Sequence, residues 1–379
     1  MIPVFRPALS DDEVDIVTET LRSRWWGLGP RTAELESEFS KLISQKHCVG
    51  VNSGTSALHL MMELAGIGEN DEVLMPSLTF VSCAHAVMYC GGKPVFVDVD
   101  EDTLTISPED LRSKITEKTK AILCVHYGGN ICDMNNIAKI ATAQGLTVLE
   151  DCAHAAGSTL NGKSAGSFGD ASAFSFHAVK NLATGDGGMV ATSNDEWYSR
   201  LISLRWLGIT KTTWDRYAKA YVADEKKKAP WDYDVETIGY KYHMNDLQAS
   251  LGLAQLRSLS KRNQRRRDIA SLYREKLSDL AQIILPEEVK DCISSRHLFV
   301  IRAEKRDDLI NFLASKGIAT SVHYKPIHLF SAYSKIVPDP KVPVTNRVWK
   351  ELITLPMFPE LKDEEVEFIS DQIKEFYTL

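Results

Sequence analysis

The chain has 379 residues, of which 44% are hydrophobic and 25% are charged. This composition argues against a disordered chain, a collagen or a membrane protein, and the length allows two or three globular domains. The 44 basic and 51 acidic side chains give a net charge of −7, which disfavours nucleic acid or an anionic lipid surface as the main partner.

The seven cysteines are spread along the chain without a C-x-x-C pair. Their odd number and their spacing favour neither a disulfide framework nor a zinc ribbon, so we expect a reducing, cytoplasmic location and no metal. The first residues, MIPVFRPALSDDE, lack the pattern of a signal peptide, and no apolar run reaches the roughly 18 residues that span a bilayer. The sequence therefore predicts no membrane partner.

Between residues 48 and 192, short apolar runs alternate with helix-compatible stretches, which predicts a mostly parallel α/β sheet. Candidate helices at 55–66, 108–115 and 133–144 separate several of these runs. The last three runs lie too close together for every connection to contain a helix, so some of their pairing should be antiparallel or irregular. The seven predicted strands are 48–52, 72–80, 93–100, 120–127, 146–151, 171–176 and 187–192.

The second half of the chain has a different pattern. Residues 212–235 are predicted to form a long loop, and a helical pattern follows from 245 to 280. The basic run KRNQRRR (261–267) in that helix is interpreted as a solvated face rather than a nucleic-acid patch, because no aromatic residues interleave with it. We expect a large α/β domain over 1–245 and a smaller α+β domain over 246–379. The smaller domain has predicted strands at 297–303 and 318–324 and predicted helices at 304–316 and 362–377.

A first candidate for chemistry is the turn between the first strand and the first predicted helix of the sheet. Free N–H groups and the dipole at such a helix start bind anions. The hydroxyls of Thr55 and Ser56 could add hydrogen bonds to a phosphate, and Gly54 would let the backbone approach it. The same residues could simply cap the helix. The turn matches neither a P-loop nor a dinucleotide-binding G-x-G-x-x-G motif.

A second candidate is Asp151, which ends a buried strand, with His154 three residues later. A carboxylate at the carboxyl end of such a strand lies where α/β sheets bind ligands. Taken singly, Asp151 could cap a loop and His154 could be a core histidine. The pair has no pattern of metal ligands.

A third candidate is Lys180, which follows an apolar strand and precedes a glycine-rich turn. Burying an ammonium group is costly unless it is paired or its pKa falls, and a neutral amine is what Schiff-base chemistry needs. Ser175 and His177 lie close by in the chain. A surface lysine at the end of a strand is the alternative interpretation.

Together the three segments supply a phosphate cradle, an acid and a lysine, the set that pyridoxal 5′-phosphate (PLP) requires. The phosphate is anchored, a carboxylate keeps the pyridine nitrogen protonated, and a lysine holds the aldehyde. A competing G-x-S-x-G motif spans 162–166. A hydrolase nucleophile elbow needs a strand before it and a helix after it, whereas this motif is predicted to be a hairpin turn, which disfavours a serine hydrolase.

Over nearly its whole length the chain resembles the DegT/DnrJ/StrS family of PLP-dependent nucleotide-sugar aminotransferases. Within that family it is most similar to sugar 4-aminotransferases such as UDP-4-amino-4-deoxy-L-arabinose aminotransferase, which also has GYKY. The resemblance implies fold type I, that of aspartate aminotransferase, with a seven-stranded mostly parallel sheet and a smaller α+β C-terminal domain. The matching segments are 25–39, 52–60, 71–82, 93–104, 148–158, 174–188, 238–256 and 322–328.

The resemblance also implies roles for individual residues. Lys180 would hold the cofactor aldehyde and then move the proton between the substrate carbon and the cofactor. Asp151 would pair with the pyridinium nitrogen, with His154 near the cofactor ring and Phe80 stacked on it. The residues implied at the phosphate are Gly54, Thr55, Ser56 and Ser175.

One departure from the family concerns the phosphate. Many members use the Asn of a GYNYR motif from the neighbouring subunit, and Lys241 takes that position in this chain. Lys241 could supply a charge to the phosphate instead. If the motif crosses subunits as in the family, each active site needs two chains, which implies a homodimer with shared active sites.

The implied reaction takes the amino group from L-glutamate, leaves pyridoxamine phosphate (PMP), and then aminates a nucleotide-linked keto sugar at C4. Relatives with histidine in place of the lysine dehydrate the sugar, so Lys180 favours transamination. A sugar 3-aminotransferase, a PLP-dependent sugar dehydratase and a non-catalytic PLP-binding regulatory protein remain alternatives. The choice of sugar is expected to depend on three loops: Arg24–Gly29, 212–235 from a neighbouring chain, and His323–His328.

Overall fold

The computed structural model describes residues 1–209 and 233–378, so most of the loop predicted at 212–235 lies outside the described residues. None of the described helices is both long enough and apolar enough to cross a membrane. The described strands are β1 (His47–Val51), β2 (Glu72–Pro76), β3 (Lys93–Val97), β4 (Thr119–Val125), β5 (Thr147–Asp151), β6 (Thr159–Leu160), β7 (Lys163–Ser164), β8 (Ala171–Ser175), β9 (Gly188–Thr192), β10 (Ile283–Ile284), β11 (Cys292–Ile293), β12 (Phe299–Ala303) and β13 (Leu352–Leu355). The described α-helices are α1 (Asp11–Ser23), α2 (Pro30–Ile43), α3 (Gly54–Leu64), α4 (Ser82–Tyr89), α5 (Pro108–Ser113), α6 (Met134–Gln144), α7 (Asp195–Leu204), α8 (Asp246–Leu277), α9 (Arg306–Ser315), α10 (Ser331–Ser334), α11 (Pro343–Val348) and α12 (Asp363–Thr378).

Seven of these strands form a central sheet in the order β1-β9-β8-β5-β4-β2-β3. The five strands from β8 to β3 run parallel, whereas β9 lies antiparallel between β8 and β1. Each strand overlaps one of the predicted apolar runs. The expectation of an antiparallel pairing near the end is confirmed, because residues 176–187 join β8 to β9 without a helix.

Local signals in the sequence explain where the helices between these strands begin and end. Ser53 caps α3, because its side chain accepts a hydrogen bond from the Ser56 N–H. Asp133 caps α6 in the same way, and Gly145 ends that helix in the left-handed conformation. The helices predicted at 55–66, 108–115 and 133–144 correspond to α3, α5 and α6.

The G-x-S-x-G motif lies on a short hairpin, as predicted. β6 and β7 pair antiparallel on either side of Asn161 and Gly162, which both have positive φ. Residues 167–170, all of them described, are not helical, and strand β8 follows. The motif therefore lacks the helix that a nucleophile elbow requires.

The 32-residue helix α8 connects the central sheet to the C-terminal part of the chain. Its first half packs in the main core through Ala249 and Leu253. Its second half packs through Ile269 and Tyr273 into a separate core, which includes the small sheet β10-β12-β13 and helices α9 and α12. Because α8 contributes to both cores, the domain boundary at residue 245 stays a prediction.

Arg266 of the basic run is buried, and Arg262 is largely covered, with 12% of its side chain exposed, so the prediction of a solvated face is wrong for both. Arg266 is 4% exposed and donates to the Met357 carbonyl over 3.0 Å. Burial lowers its pKa to about 10. Arg262 lies 2.6 Å from the buried carboxylate of Glu13 in α1. Helix α1 and the segment around Met357 pack against this face of α8. The local sequence does not indicate this packing, because both partners lie far away in the chain.

The predicted strand at 318–324 is also wrong. In the described structure these residues form only isolated bridges, from Ile318 to Ile2 and from Ser321 to Thr354. The third strand of the small sheet is instead β13, which pairs with β12. The end of the segment, His323 and Tyr324, does not pair with the small sheet, because it turns towards the cavity described next.

Candidate active site

The carboxyl ends of the parallel strands open into a cavity of about 310 Å³. Val125, Asp151 and Ser175 end strands β4, β5 and β8, and all three line this cavity. Open α/β sheets bind ligands at this edge, because the loops and helix N-termini meet there. The volume is that of a small-molecule site.

The first turn of α3 forms one wall of the cavity. The N–H groups of Gly54 and Thr55 have no acceptor within the helix, because they lie in its first turn. Gly54 packs so closely on Ser175 that a Cβ atom at this position would lie 2.7 Å from the Ser175 Cβ. Together with the Ser53 and Ser175 side chains, these N–H groups form a cradle for an anion.

Asp151 lies in the wall at the end of β5 and is 5% exposed. Its Oδ1 accepts a hydrogen bond from the Ala153 N–H over 2.9 Å, and its Oδ2 accepts one from the Cys83 thiol over 3.0 Å. Burial and the neighbouring Asp151 carboxylate raise the pKa of Cys83 well above its ordinary value. Cys83 is therefore a neutral donor to the Asp151 side chain.

Lys180 extends into the same cavity. Within residues 1–209 and 233–378, no hydrogen bond or ion pair reaches its Nζ. Burial lowers the pKa of Lys180 to about 8, although Asp151 and Cys83 oppose the shift. A substantial fraction of the amine is therefore neutral near physiological pH, as a Schiff-base lysine requires. The alternative of a surface lysine at a strand end does not hold.

His154 is buried and hydrogen-bonded through both ring nitrogens. Its Nδ1 accepts the Gly128 N–H over 3.3 Å, so the proton of the neutral ring lies on Nε2, which donates to the Tyr324 hydroxyl over 3.0 Å. Burial, together with the charges of Lys180 and His323, keeps the pKa of His154 well below its ordinary value. His154 is therefore a neutral donor that positions Tyr324 beside the cavity.

Phe80 also lines the cavity, where its side chain is unusually open to solvent. The residue is 56% exposed, and its ring centroid lies 6.0 Å from that of Tyr324. An aromatic ring held at the edge of a cavity offers a face on which a planar ligand can stack.

Two of the predicted cofactor residues lie outside the cavity lining. The Ser56 hydroxyl bonds to Asn52 Oδ1 over 2.5 Å and to the Ser53 hydroxyl over 2.8 Å, within the cap of α3. Lys241 places its Nζ 3.5 Å from the centroid of the Trp206 ring. The roles predicted for Ser56 and Lys241 at the phosphate stay predictions.

Comparison with known proteins places the chain in a family. Residues 7–374 match the DegT/DnrJ/EryC1/StrS aminotransferase family. The chain belongs to this family. The spore coat polysaccharide biosynthesis protein SpsC of Bacillus subtilis is 38% identical to it, over 99% of this chain and 96% of SpsC.

Two solved structures are similar over essentially the whole chain. The aminotransferase TlmJ from Streptoalloteichus hindustanus is 34% identical, with a TM-score of 0.91, over 100% of this chain and 99% of TlmJ. Spr1654 of Streptococcus pneumoniae, assigned as a sugar aminotransferase, is 34% identical in its PMP form, with a TM-score of 0.91, over 99% of this chain and 98% of Spr1654. Spr1654 has also been solved in a PLP form.

This DegT/DnrJ/EryC1/StrS aminotransferase is therefore a PLP-dependent enzyme that acts on a sugar with an amino donor. The expected fold, a seven-stranded mostly parallel sheet with a smaller C-terminal part, is confirmed. The PLP and PMP cofactors expected from the sequence are those of the related Spr1654 structures.

The residues of the cavity fit PLP. The cradle at Gly54 and Thr55 can accept a dianionic phosphate, because its N–H groups are free of intrahelical acceptors. The buried Asp151 carboxylate can pair with a protonated ring nitrogen, and the Lys180 amine, which has no partner within residues 1–209 and 233–378, can bind an aldehyde. Phe80 offers the stacking face.

Cys83 and Tyr324 of this aminotransferase site are not indicated by the sequence patterns of single segments. Cys83 lies 68 positions from Asp151, and no spacing rule connects them. Tyr324 lies 170 positions from His154, although it falls inside the family segment 322–328, which could have singled it out.

Proposed function

We propose that this aminotransferase moves the amino group of L-glutamate to the C4 keto group of a nucleotide-linked 4-keto sugar. The observation that supports the proposal is the Lys180 amine, which lies in the cavity with Asp151 and has no hydrogen-bond partner among the described residues. Such an amine is free to bind a carbonyl and, when released, to accept a proton from carbon.

When bound, PLP would supply an electron-accepting ring and an aldehyde, so that the amino group passes from donor to sugar through the PMP form. Asp151 would hold the positive charge on the ring nitrogen. The first turn of α3 and Ser175 would hold the phosphate and so fix the position of the ring relative to Lys180. The Nζ of Lys180 would take the proton from the carbon that carries the amino group of the donor and return one to the sugar carbon.

The choice of a nucleotide-linked sugar rests on the sequence resemblance to 4-aminotransferases. The name of the related SpsC refers to spore coat polysaccharide biosynthesis. By analogy, we propose that this enzyme makes an amino sugar for a surface polysaccharide, a glycan or a secondary metabolite. All seven cysteines have free thiols, in keeping with the reducing cytoplasm that the sequence predicts.

We further propose that the enzyme is a homodimer in which Lys241 reaches the cofactor phosphate of the partner. In its own chain, Lys241 lies against Trp206 outside the cavity lining, and burial lowers its pKa. The cation–π contact holds the ammonium group in a defined position. A lysine in that position is available to a neighbouring subunit.

Absorption spectroscopy tests the reaction. The purified protein is examined before and after addition of L-glutamate and then of a panel of 4-keto and 3-keto nucleotide sugars. We expect a yellow form that glutamate bleaches and that one 4-keto sugar restores. If only a 3-keto sugar restores the yellow form, the enzyme aminates C3 rather than C4. Loss of a sugar hydroxyl group without amination would indicate a dehydratase. A colourless protein that takes up no added PLP would overturn the proposal in favour of a non-catalytic protein.

A further inference from the structure

A second group of ligating side chains lies apart from the cavity, where α3 meets the residue after α4. His59 and Glu63 stand four positions apart on α3, and Cys90 directly follows α4. One ligand atom from each of these three residues lies within 4.8 Å of the other two. None of the three lines the active-site cavity.

The side chain of His59 leaves one ring nitrogen without a partner. His59 is 5% exposed, and its Nδ1 is 3.2 Å from the Tyr242 hydroxyl. Its Nε2 is buried and has no hydrogen-bond partner in the described part of the chain. Oε1 of Glu63 lies 3.8 Å from this nitrogen, which is too long for a hydrogen bond. A buried nitrogen is seldom left without a partner, because its desolvation is then uncompensated.

The distances in this group suit a metal ion. Zinc binds nitrogen and oxygen at about 2.0–2.1 Å and sulfur at about 2.3 Å, so tetrahedral ligand atoms lie roughly 3.4–3.6 Å apart. The separations here are 3.8 Å between His59 Nε2 and Glu63 Oε1, and 3.9 Å between Cys90 Sγ and that same oxygen. The ligand atoms of the third pair, His59 and Cys90, lie within 4.8 Å of each other. Closing the site therefore needs side-chain shifts of up to about 1 Å, which rotations of the partly buried Glu63 and Cys90 side chains can supply.

We propose that His59, Glu63 and Cys90 bind a divalent transition-metal ion, with Zn²⁺ the best match to this set of nitrogen, oxygen and sulfur ligands. Glu63 and Cys90 are only partly buried, so an ion can enter from solvent and keep a water molecule as its fourth ligand. On binding, the Cys90 thiol gives its proton to solvent, and the resulting thiolate bonds to the metal.

Neighbouring residues orient these ligands. The Tyr240 hydroxyl donates to Oε1 of Glu63 over 2.7 Å, and Tyr242 contacts the far nitrogen of His59. Such outer hydrogen bonds fix the orientation of metal ligands. Because Tyr240 and Tyr242 flank Lys241, the metal would also tie α3 to the segment that carries this lysine.

Another group of a histidine, a glutamate and a cysteine consists of His126, Glu150 and Cys152. In this group the histidine and the glutamate are both hydrogen-bonded. His126 Nε2 lies 2.9 Å from Glu150, and its Nδ1 accepts the Cys132 N–H. Glu150 also accepts backbone N–H groups, from Gly166, Phe168 and Gly169. Both histidine nitrogens are used, so this group provides a matched control.

Metal titration of the untagged enzyme tests the site. After treatment with a chelator, the PLP-loaded protein is titrated with Co²⁺, whose visible d–d bands report tetrahedral thiolate coordination, and then with Zn²⁺. The variants are Cys90→Ser, Glu63→Gln and, as control, Cys152→Ser. Glu63→Gln keeps an oxygen acceptor for Tyr240 while it removes the charge.

We expect one equivalent of metal in the wild type and in Cys152→Ser, loss of the thiolate-type Co²⁺ spectrum in Cys90→Ser, and affinity at least about tenfold weaker in Glu63→Gln. Anomalous scattering from zinc-soaked crystals should place the ion between His59 and Glu63, whether or not the variants fold. Absence of stoichiometric binding, an unchanged Co²⁺ spectrum in Cys90→Ser, or an ion located elsewhere would overturn the proposal.

Discussion

The Cys83 thiol donates a hydrogen bond to Oδ2 of Asp151 over 3.0 Å. Cys83 is fully buried, and its pKa is raised well above the ordinary value by burial and by the Asp151 carboxylate. The thiol is therefore a permanent donor to the carboxylate that would face the ring nitrogen of the cofactor. A cysteine that a sequence alone leaves without a role thus helps to hold a charged group of the site in place.

Replacing Cys83 tests this contact. We expect Cys83→Ala to lower the free energy of unfolding by about 1–3 kcal/mol, because the buried carboxylate loses a donor and a small cavity forms. Urea denaturation measures the change. Cys48→Ala removes a buried thiol that donates no hydrogen bond to a carboxylate within the described residues, so it gives mainly the cavity effect. Equal losses in the two variants would show that the hydrogen bond contributes nothing.

Lys180→Ala should abolish transamination. Loss of the amine removes both the group that binds the cofactor aldehyde and the base that moves the proton, and a positioned base alone contributes about 10²–10⁴-fold to rate. Amino transfer to the keto sugar is the measurement. Lys163→Ala, whose ammonium lies over Phe168 outside the cavity, should keep full activity. Undiminished transamination in Lys180→Ala would refute the assigned role.

The lowered pKa of Lys180 predicts a pH dependence of stability in the cofactor-free enzyme. Between about pH 8 and pH 10.5 the unfolded state binds more protons than the folded state, so the free energy of unfolding should rise with pH. A pKa lowered from 10.5 to about 8 corresponds to a rise of about 3 kcal/mol across this interval. Below about pH 8, the Lys180 amine is charged in both states, and the full cost of burying the ammonium group destabilises the folded state.

Unfolding by urea at several pH values, in the wild type and in Lys180→Met, measures this effect. The uncharged variant should lack the rise, and the difference between the two curves isolates Lys180 from other titrating groups. Parallel curves would mean that the amine is not desolvated.

Tyr324→Phe should destabilise the protein through His154. The Nε2–H of His154 would lose its acceptor inside the protein, which costs about 1–3 kcal/mol. A double-mutant cycle with His154→Leu separates the direct contact from the general effects of each change. If the losses of the two single variants add, the residues do not interact in the way that the structure shows.

Hybrid dimers test whether Lys241 acts across subunits. Lys180→Ala and Lys241→Ala should each be impaired alone, but a mixture that exchanges subunits should regain part of the activity. The reason is that one of the two sites in a hybrid contains both lysines if Lys241 acts on the partner. If Lys241 acts within its own chain, no hybrid site is complete, and mixing will restore nothing.

The elements that carry the site were predictable because their signals are local. The buried strand that ends in Asp151, the Gly54-Thr55 turn before a helix and the apolar approach to Lys180 each lie within one stretch of sequence. Parallel strands place their carboxyl ends at one edge of the sheet, so these groups converge without further information. The sequence by itself therefore determined the sheet, the cofactor class and the convergence of these candidate residues on one cavity.

Only the tertiary structure decided which distant side chains support them. Packing between elements far apart in the chain brings together three pairs: Cys83 with Asp151, His154 with Tyr324, and the buried Arg266 with Met357. Such contacts produce no hydrophobic periodicity in the sequence. The pattern of each segment reflects its own helix or strand and carries no information about the distant partner. Burial then changes the chemistry, which is why the lowered pKa of Lys180 and the neutral state of His154 follow from the fold and not from the order of residues.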